Sequence, residues 1–111
     1  MLERSRCFPV AAVAALGLLL GAACGPVQST AFQLDAETML EAARTAQADR
    51  YAPYEWTSAN LYLAKSREEV GYSEYETAVD YARKALDFAT RARDGAQKAA
   101  RKPAAPPPGG P

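Results

Sequence analysis

Residues 78–96, AVDYARKALDFATRARDGA, place alanine at 78, 82, 85, 89, 92 and 96, alternately four and three residues apart. Neighbours at those spacings share one face of an α-helix, so the six alanines form a single narrow stripe. A stripe of methyl groups lets another helix backbone approach closely, and Val79, Leu86, Tyr75 and Tyr81 flank it with bulk. Immediately upstream, Ser73 with Glu76 three residues on forms a capping-box pattern that predicts the start of this helix, and Gly71 before it is a good helix terminator. The helix that Gly71 ends is predicted to open after Tyr51-Ala52, where Pro53 suits a first helical position because its missing amide hydrogen would be unpaired there anyway. Trp56, Leu63 and Val70 follow at seven-residue intervals. A first helix is signalled by Thr30 with Gln33, a second capping-box pattern, and by Leu34, Met39, Leu40, Ala43 and Ala46 as its apolar face.

No strand pattern competes, and the two interhelical turns are short, so the expected fold is all-α: a three-helix up-down-up bundle. Alanine-rich helices bury modest apolar area, so the domain is expected to have a small stability margin that self-association or a partner would raise.

The N-terminal segment reads as an export signal. Arg4 and Arg6 make a basic start, Phe8 to Ala23 is almost unbroken apolar, and Gly21-Ala22-Ala23 supplies the small residues that signal peptidases require. The apolar run is read as shorter than the roughly 20 residues a bilayer core needs, with Pro9 near its start, which argues against an uncleaved membrane helix. Together with Cys24 the segment resembles a bacterial lipobox, although Gly21 stands where a large aliphatic residue is usual and Leu20 lies one position earlier. The resemblance implies cleavage after Ala23 and a diacylglyceryl thioether on Cys24, usually with a third acyl chain on its amine. Two or three chains anchor a protein stably where one holds weakly. Gly25 after the cysteine implies sorting to an outer membrane, with the domain in the periplasm. An ordinary secretory signal, leaving Cys24 as a plain thiol, is the competing reading.

Four segments result: signal 1–23, a membrane tether 24–29 without periodicity, a helical domain 30–102, and a Pro/Gly-rich tail 103–111 expected to be extended or disordered. Loss of Glu3, Arg4 and Arg6 with the signal leaves 11 basic against 12 acidic side chains. That balance offers no basic field for phosphate backbones, so no nucleic-acid partner is expected. Cys7 leaves with the signal, an acylated Cys24 cannot form a disulfide, and the chain has no histidine, so neither a disulfide framework nor a zinc site is expected. No metal or other cofactor is expected beyond the lipid on Cys24.

The stretch Gly71–Leu86, with Tyr75, the Ala78-Val79 pair, Ala82 and the Ala85-Leu86 pair, resembles the second half of a tetratricopeptide repeat. One unit is visible, which implies a helical hairpin of that type plus an added helix. Over residues 35–97 the chain also resembles the bacterial envelope family catalogued as domain of unknown function 4398, through Tyr51-Ala52-Pro53, Glu55, and the series Ala59, Leu63, Tyr75, Ala78, Ala82, Ala85 and Ala89. That family often occurs attached to or beside outer-membrane peptidoglycan-binding domains, which implies work at the cell envelope; the present sequence shows no wall-binding module of its own.

Little in the sequence suggests a reaction. Nucleophilic catalysis wants a serine, cysteine or threonine beside a tuned base, and Ser58, Ser66 and Ser73 read as helix-surface or capping residues. Glu68-Glu69 and Glu74 with Glu76 are carboxylate pairs of the kind glycoside hydrolysis uses, but they read as solvated charges near helix ends. Lys98, Arg101 and Lys102 complement the dipole at a helix C-terminus. Among the aromatic residues, Trp56 and Tyr75 fall on apolar faces and read as core, whereas Tyr54, Tyr62 and Tyr72 read as exposed contact residues. The expectation is a non-enzymatic, lipid-anchored adaptor or structural module that binds envelope proteins or itself. The alternative is a periplasmic binder of a small ligand, a lipid or wall fragment, held between loosely packed helices.

Overall fold

A computed structural model describes the backbone of residues 4–22 and 24–102, and the side chains of 9–19 and 24–102. The tail 103–111 and Ala23, the residue before the expected cleavage, lie outside the described residues. The described residues are all-helical: α1 (Arg4–Ala22), α2 (Cys24–Thr45), α3 (Ala48–Tyr51), α4 (Pro53–Gly71) and α5 (Tyr75–Arg101).

The alanine stripe behaves as its spacing predicts. Ala78, Ala82, Ala85, Ala89, Ala92 and Ala96 have no exposed surface, and α5 is the central element, packing on α2 and α4 about equally while those two meet each other less. Methyl-sized side chains on the receiving helices complete the close approach: Ala36 and Leu40 of α2 with Ala59 and Leu63 of α4 surround Ala85 and Ala89, and Ala43 with Ala48 of α3 covers Ala92 and Ala96. Trp56 packs against both clusters and closes the space between them, in keeping with its core reading. Gly25 and Phe32 of α2 lie against Tyr75 and Arg83 of α5, so their contacts ascend together. Along α4 the order is reversed, Ser66 meeting Ala78 and Tyr54 meeting Phe88.

Among the described residues the domain has four helices, α2 to α5, where three were expected. The segment 24–29, read as an irregular tether, is instead the first turn and a half of α2, and the domain begins at Cys24, not Thr30. Proline is compatible with a helix's first turn, and the carbonyl of Pro26 accepts hydrogen bonds from Ser29 Oγ (3.0 Å) and Thr30 Oγ1 (2.8 Å). Thr30 therefore lies inside the helix, and the capping box with Gln33 does not form. The extra helix α3 arises because Gln47 adopts a left-handed backbone (φ 59°) that ends α2 and turns the chain.

The α4–α5 turn also departs from expectation. Gly71 lies within the last turn of α4, and the left-handed position falls on Ser73 (φ 64°). The amide of Ser73 donates to the carbonyl of Val70 (3.0 Å) and that of Glu74 to Glu69 (2.9 Å), a Schellman closure with Ser73 in the place usually taken by glycine. Glu74 is the N-cap residue of α5 and makes no side-chain cap bond, so the Ser73–Glu76 capping box is absent as well. Of the apolar face assigned to the first helix, Leu40 and Ala43 are buried as expected, but Leu34 is 55% exposed and Ala36 is buried in the face in its stead.

The apolar stretch opening at Pro9 contains a window of mean hydropathy 2.1 with none of it buried, long and apolar enough to cross a membrane by length and composition, a test that signal sequences also pass. α1 itself spans 19 residues, longer than the apolar run is read to be. Among the described residues α1 touches only α2.

Candidate functional site: an aromatic strip on α4 and α5

Of the three tyrosines singled out in the sequence, the fold brings Tyr54 and Tyr62 together and leaves Tyr72 apart. Tyr54 and Tyr62 are eight residues apart on α4, two turns along one face. Phe88 of α5 rises between them: its ring meets Tyr54 edge-on at 6.0 Å and stacks on Tyr62 at 5.5 Å. Tyr62 also stacks on Tyr81 at 6.0 Å. These centroid separations lie within the range of favourable ring pairs. Tyr54 remains 70% exposed, while Tyr62, Phe88 and Tyr81 are half-buried, so Tyr62 is a ledge within the strip and not the freely exposed residue its sequence suggested.

Cations flank the rings. The Lys84 ammonium lies 5.5 Å from the Tyr81 centroid and 5.6 Å from that of Tyr62, and the Arg91 guanidinium lies 4.2 Å from Phe88 while pairing with Asp87 at 3.0 Å. Beside Tyr62 and Tyr81, the helices leave an open groove of about 410 Å³ lined by Ser58, Leu61 and Lys65, with Leu61 65% exposed. Lys65 Nζ is held by Glu68 at 3.1 Å and Glu69 at 3.5 Å, and hydrogen bonding and attraction from Glu68 first, then Glu69, hold its pKa above the ordinary lysine value. The Glu68-Glu69 pair thus faces a cation. Such a surface presents flat apolar rings with polar hydroxyls and positive rims, the composition favoured at protein interfaces.

Tyr72, 69% exposed, sits on the α4–α5 turn, about 15 Å along the helix from Tyr62 at 1.5 Å per residue. Tyr75 is half-buried against Gly25, where a Cβ would stand 3.3 Å from the tyrosine Cβ. Cys24 is exposed at the start of α2. Lys98 and Arg101 occupy the last turn of α5, as a helix dipole favours, and Lys102 caps it.

Ser66 escaped the sequence reading. Taken for a surface residue, it is fully buried where three helices meet: its Oγ donates to the Ala78 carbonyl of α5 (2.7 Å) and accepts from Gln33 Nε2 of α2 (2.9 Å). A serine at a position where the helical face otherwise reads Ala59 and Leu63 was the available signal. Near it an Arg67–Glu37 ion pair links α4 to α2. Among the described residues no three histidine, cysteine or carboxylate groups gather where they could hold a metal ion.

No curated protein and no solved structure matches the chain. A family model described as "Domain of unknown function (DUF4398)" matches residues 33–105, which takes in most of α2 and all of α3, α4 and α5. With its central helix, its three-helix serine contact and its aromatic strip all inside that match, the chain belongs to the DUF4398 family.

Proposed function

We propose that the protein is a lipid-anchored module of the bacterial cell envelope that binds another envelope protein and performs no reaction of its own. In this reading residues 1–23 are a cleaved lipoprotein signal, Cys24 carries the lipid, the anchor lies in the outer membrane and the domain faces the periplasm. The helices α2, α4 and α5 form an up-down-up bundle, with α4 and α5 as a tetratricopeptide-like hairpin and α2 as the added helix.

The observation that carries the proposal is the aromatic strip. A domain whose interior is closed by alanine methyls leaves Tyr54, Leu61 and the faces of Tyr62, Tyr81 and Phe88 on one outer surface, rimmed by Lys84 and Arg91. An aromatic surface with cationic edges suits a protein partner with an apolar ridge and carboxylates beside it. Crosslinking in living cells followed by recovery of the tagged protein from membranes tests this, with Cys24→Ser as the unanchored control. One envelope protein recovered with the native chain and lost with the control is the expected result; recovery of nothing but the protein itself contradicts it.

The groove beside Leu61 favours a second reading, capture of a small amphipathic ligand such as a lipid or wall fragment. Lipid analysis of the purified protein separates the two: a stoichiometric bound molecule lost on Leu61→Glu supports the binder.

A further inference from the structure

Because α2 begins at Cys24 itself, an anchor there has no slack. Gly25 is already packed on Tyr75, and Ser29, one turn later, is fully buried. The same end of the domain carries the α4–α5 turn with Tyr72, and Tyr72 and Val27 are 69% and 67% exposed there. Among the described residues the exposed apolar helix α1 touches only α2, which begins at this end, so lipid on Cys24 and insertion of α1 would both bring the bilayer to the same place.

We propose that the domain stands on the bilayer on this end, with Tyr72 in the headgroup layer as a second, non-covalent contact. The inference rests on the anchored reading of the N-terminus. Tyrosine suits that layer because its ring is apolar and its hydroxyl wet. Upright on this end, the 27 residues of α5 carry its C-terminus about 40 Å from the headgroups at 1.5 Å per residue, and the aromatic strip lies along the side, clear of lipid. Local charge selects the lipid. Residues 68–80 contain Glu68, Glu69, Glu74, Glu76 and Asp80 and no basic residue, and Lys65 engages only the first two. An acidic rim is repelled by anionic headgroups and tolerated by zwitterionic ones.

The test uses the full acylated protein in phosphatidylcholine vesicles with brominated acyl chains, which quench nearby tryptophan. Trp56, the sole tryptophan, lies at the opposite end on the first turn of α4 and reports on that end. Its emission is expected to be unchanged by bromine, whereas Tyr72→Trp adds an emission component that bromine removes. Replacing part of the lipid with phosphatidylglycerol at low salt is expected to restore that component. Quenching of Trp56, or flotation with the vesicles without quenching at position 72, overturns the upright contact while leaving the anchor in place. Failure of the native protein to float removes the anchor and the inference with it.

Discussion

Ser66 ties three helices through one hydroxyl, donating a hydrogen bond to the Ala78 carbonyl and accepting one from the Gln33 amide. Ser66→Ala removes both bonds and leaves the half-buried Gln33 amide without its acceptor, and is expected to lower unfolding free energy by about 1–3 kcal/mol, read from the denaturant midpoint. Gln33→Ala retains the bond to Ala78 and should cost about 0.5–1.5 kcal/mol. Equal stability of Ser66→Ala and the native protein would show that the contact contributes nothing. Charge plays a smaller part. The chain has no histidine, and the raised pKa of Lys65 means that its bonds to Glu68 and Glu69 favour folding below the ordinary lysine pKa of 10.5 and lose that effect as pH climbs through the raised value. Stability measured from pH 6 to 8 should therefore be flat, with any loss from this pair confined to strongly alkaline solution.

At the scale of the element, α5 was legible because its signal is self-contained: six alanines at helical spacing need nothing from the rest of the chain to define a buried stripe. Its tolerance should be correspondingly low. Ala85→Leu forces a side chain between backbones already in contact and should cost about 1–3 kcal/mol, while Ala100→Leu on the exposed face should stay within about 0.5 kcal/mol of native. The helix ends were not legible, because serine, threonine and glycine serve several local hydrogen-bond patterns and only the chain path selects one. Thr30 resembles a cap yet bonds back to Pro26 inside α2, and Ser73 resembles a cap yet takes the left-handed position itself. One pair of variants separates the two accounts of the α4–α5 turn. Gly71 is helical with open space around its Cα, so Gly71→Ala should stabilise by about 0.5–1 kcal/mol, whereas a terminating glycine would make the same change destabilising. Ser73→Gly relieves the left-handed strain and should be neutral or stabilising by up to about 1 kcal/mol.

Across the whole molecule, composition announced a small alanine-rich helical domain, and the family match over 33–105 agrees with the resemblance carried by Tyr51-Ala52-Pro53 and the alanine series. The candidate surface was half legible. Tyr54 and Tyr62 stood out by type and by their eight-residue spacing, but Phe88 and Tyr81 join them only through the register of α4 against α5, which no local pattern encodes. Tyr72 looked equivalent to them in sequence and is separated by the turn that carries it. α2 is helical from Cys24 onward, so in the anchored arrangement proposed above the domain would be fixed at its base and not held on a flexible leash, and the strip on α4 and α5 would face sideways. The most direct test of a protein-binding role for that strip is photocrosslinking in cells from a reactive amino acid placed at Tyr54, with the same residue at the exposed Asp35 of α2 as the comparison. One discrete protein adduct from position 54, absent from position 35 and lost in the Cys24→Ser background, is the predicted result; no adduct from position 54, or the same adducts from both faces, would contradict it.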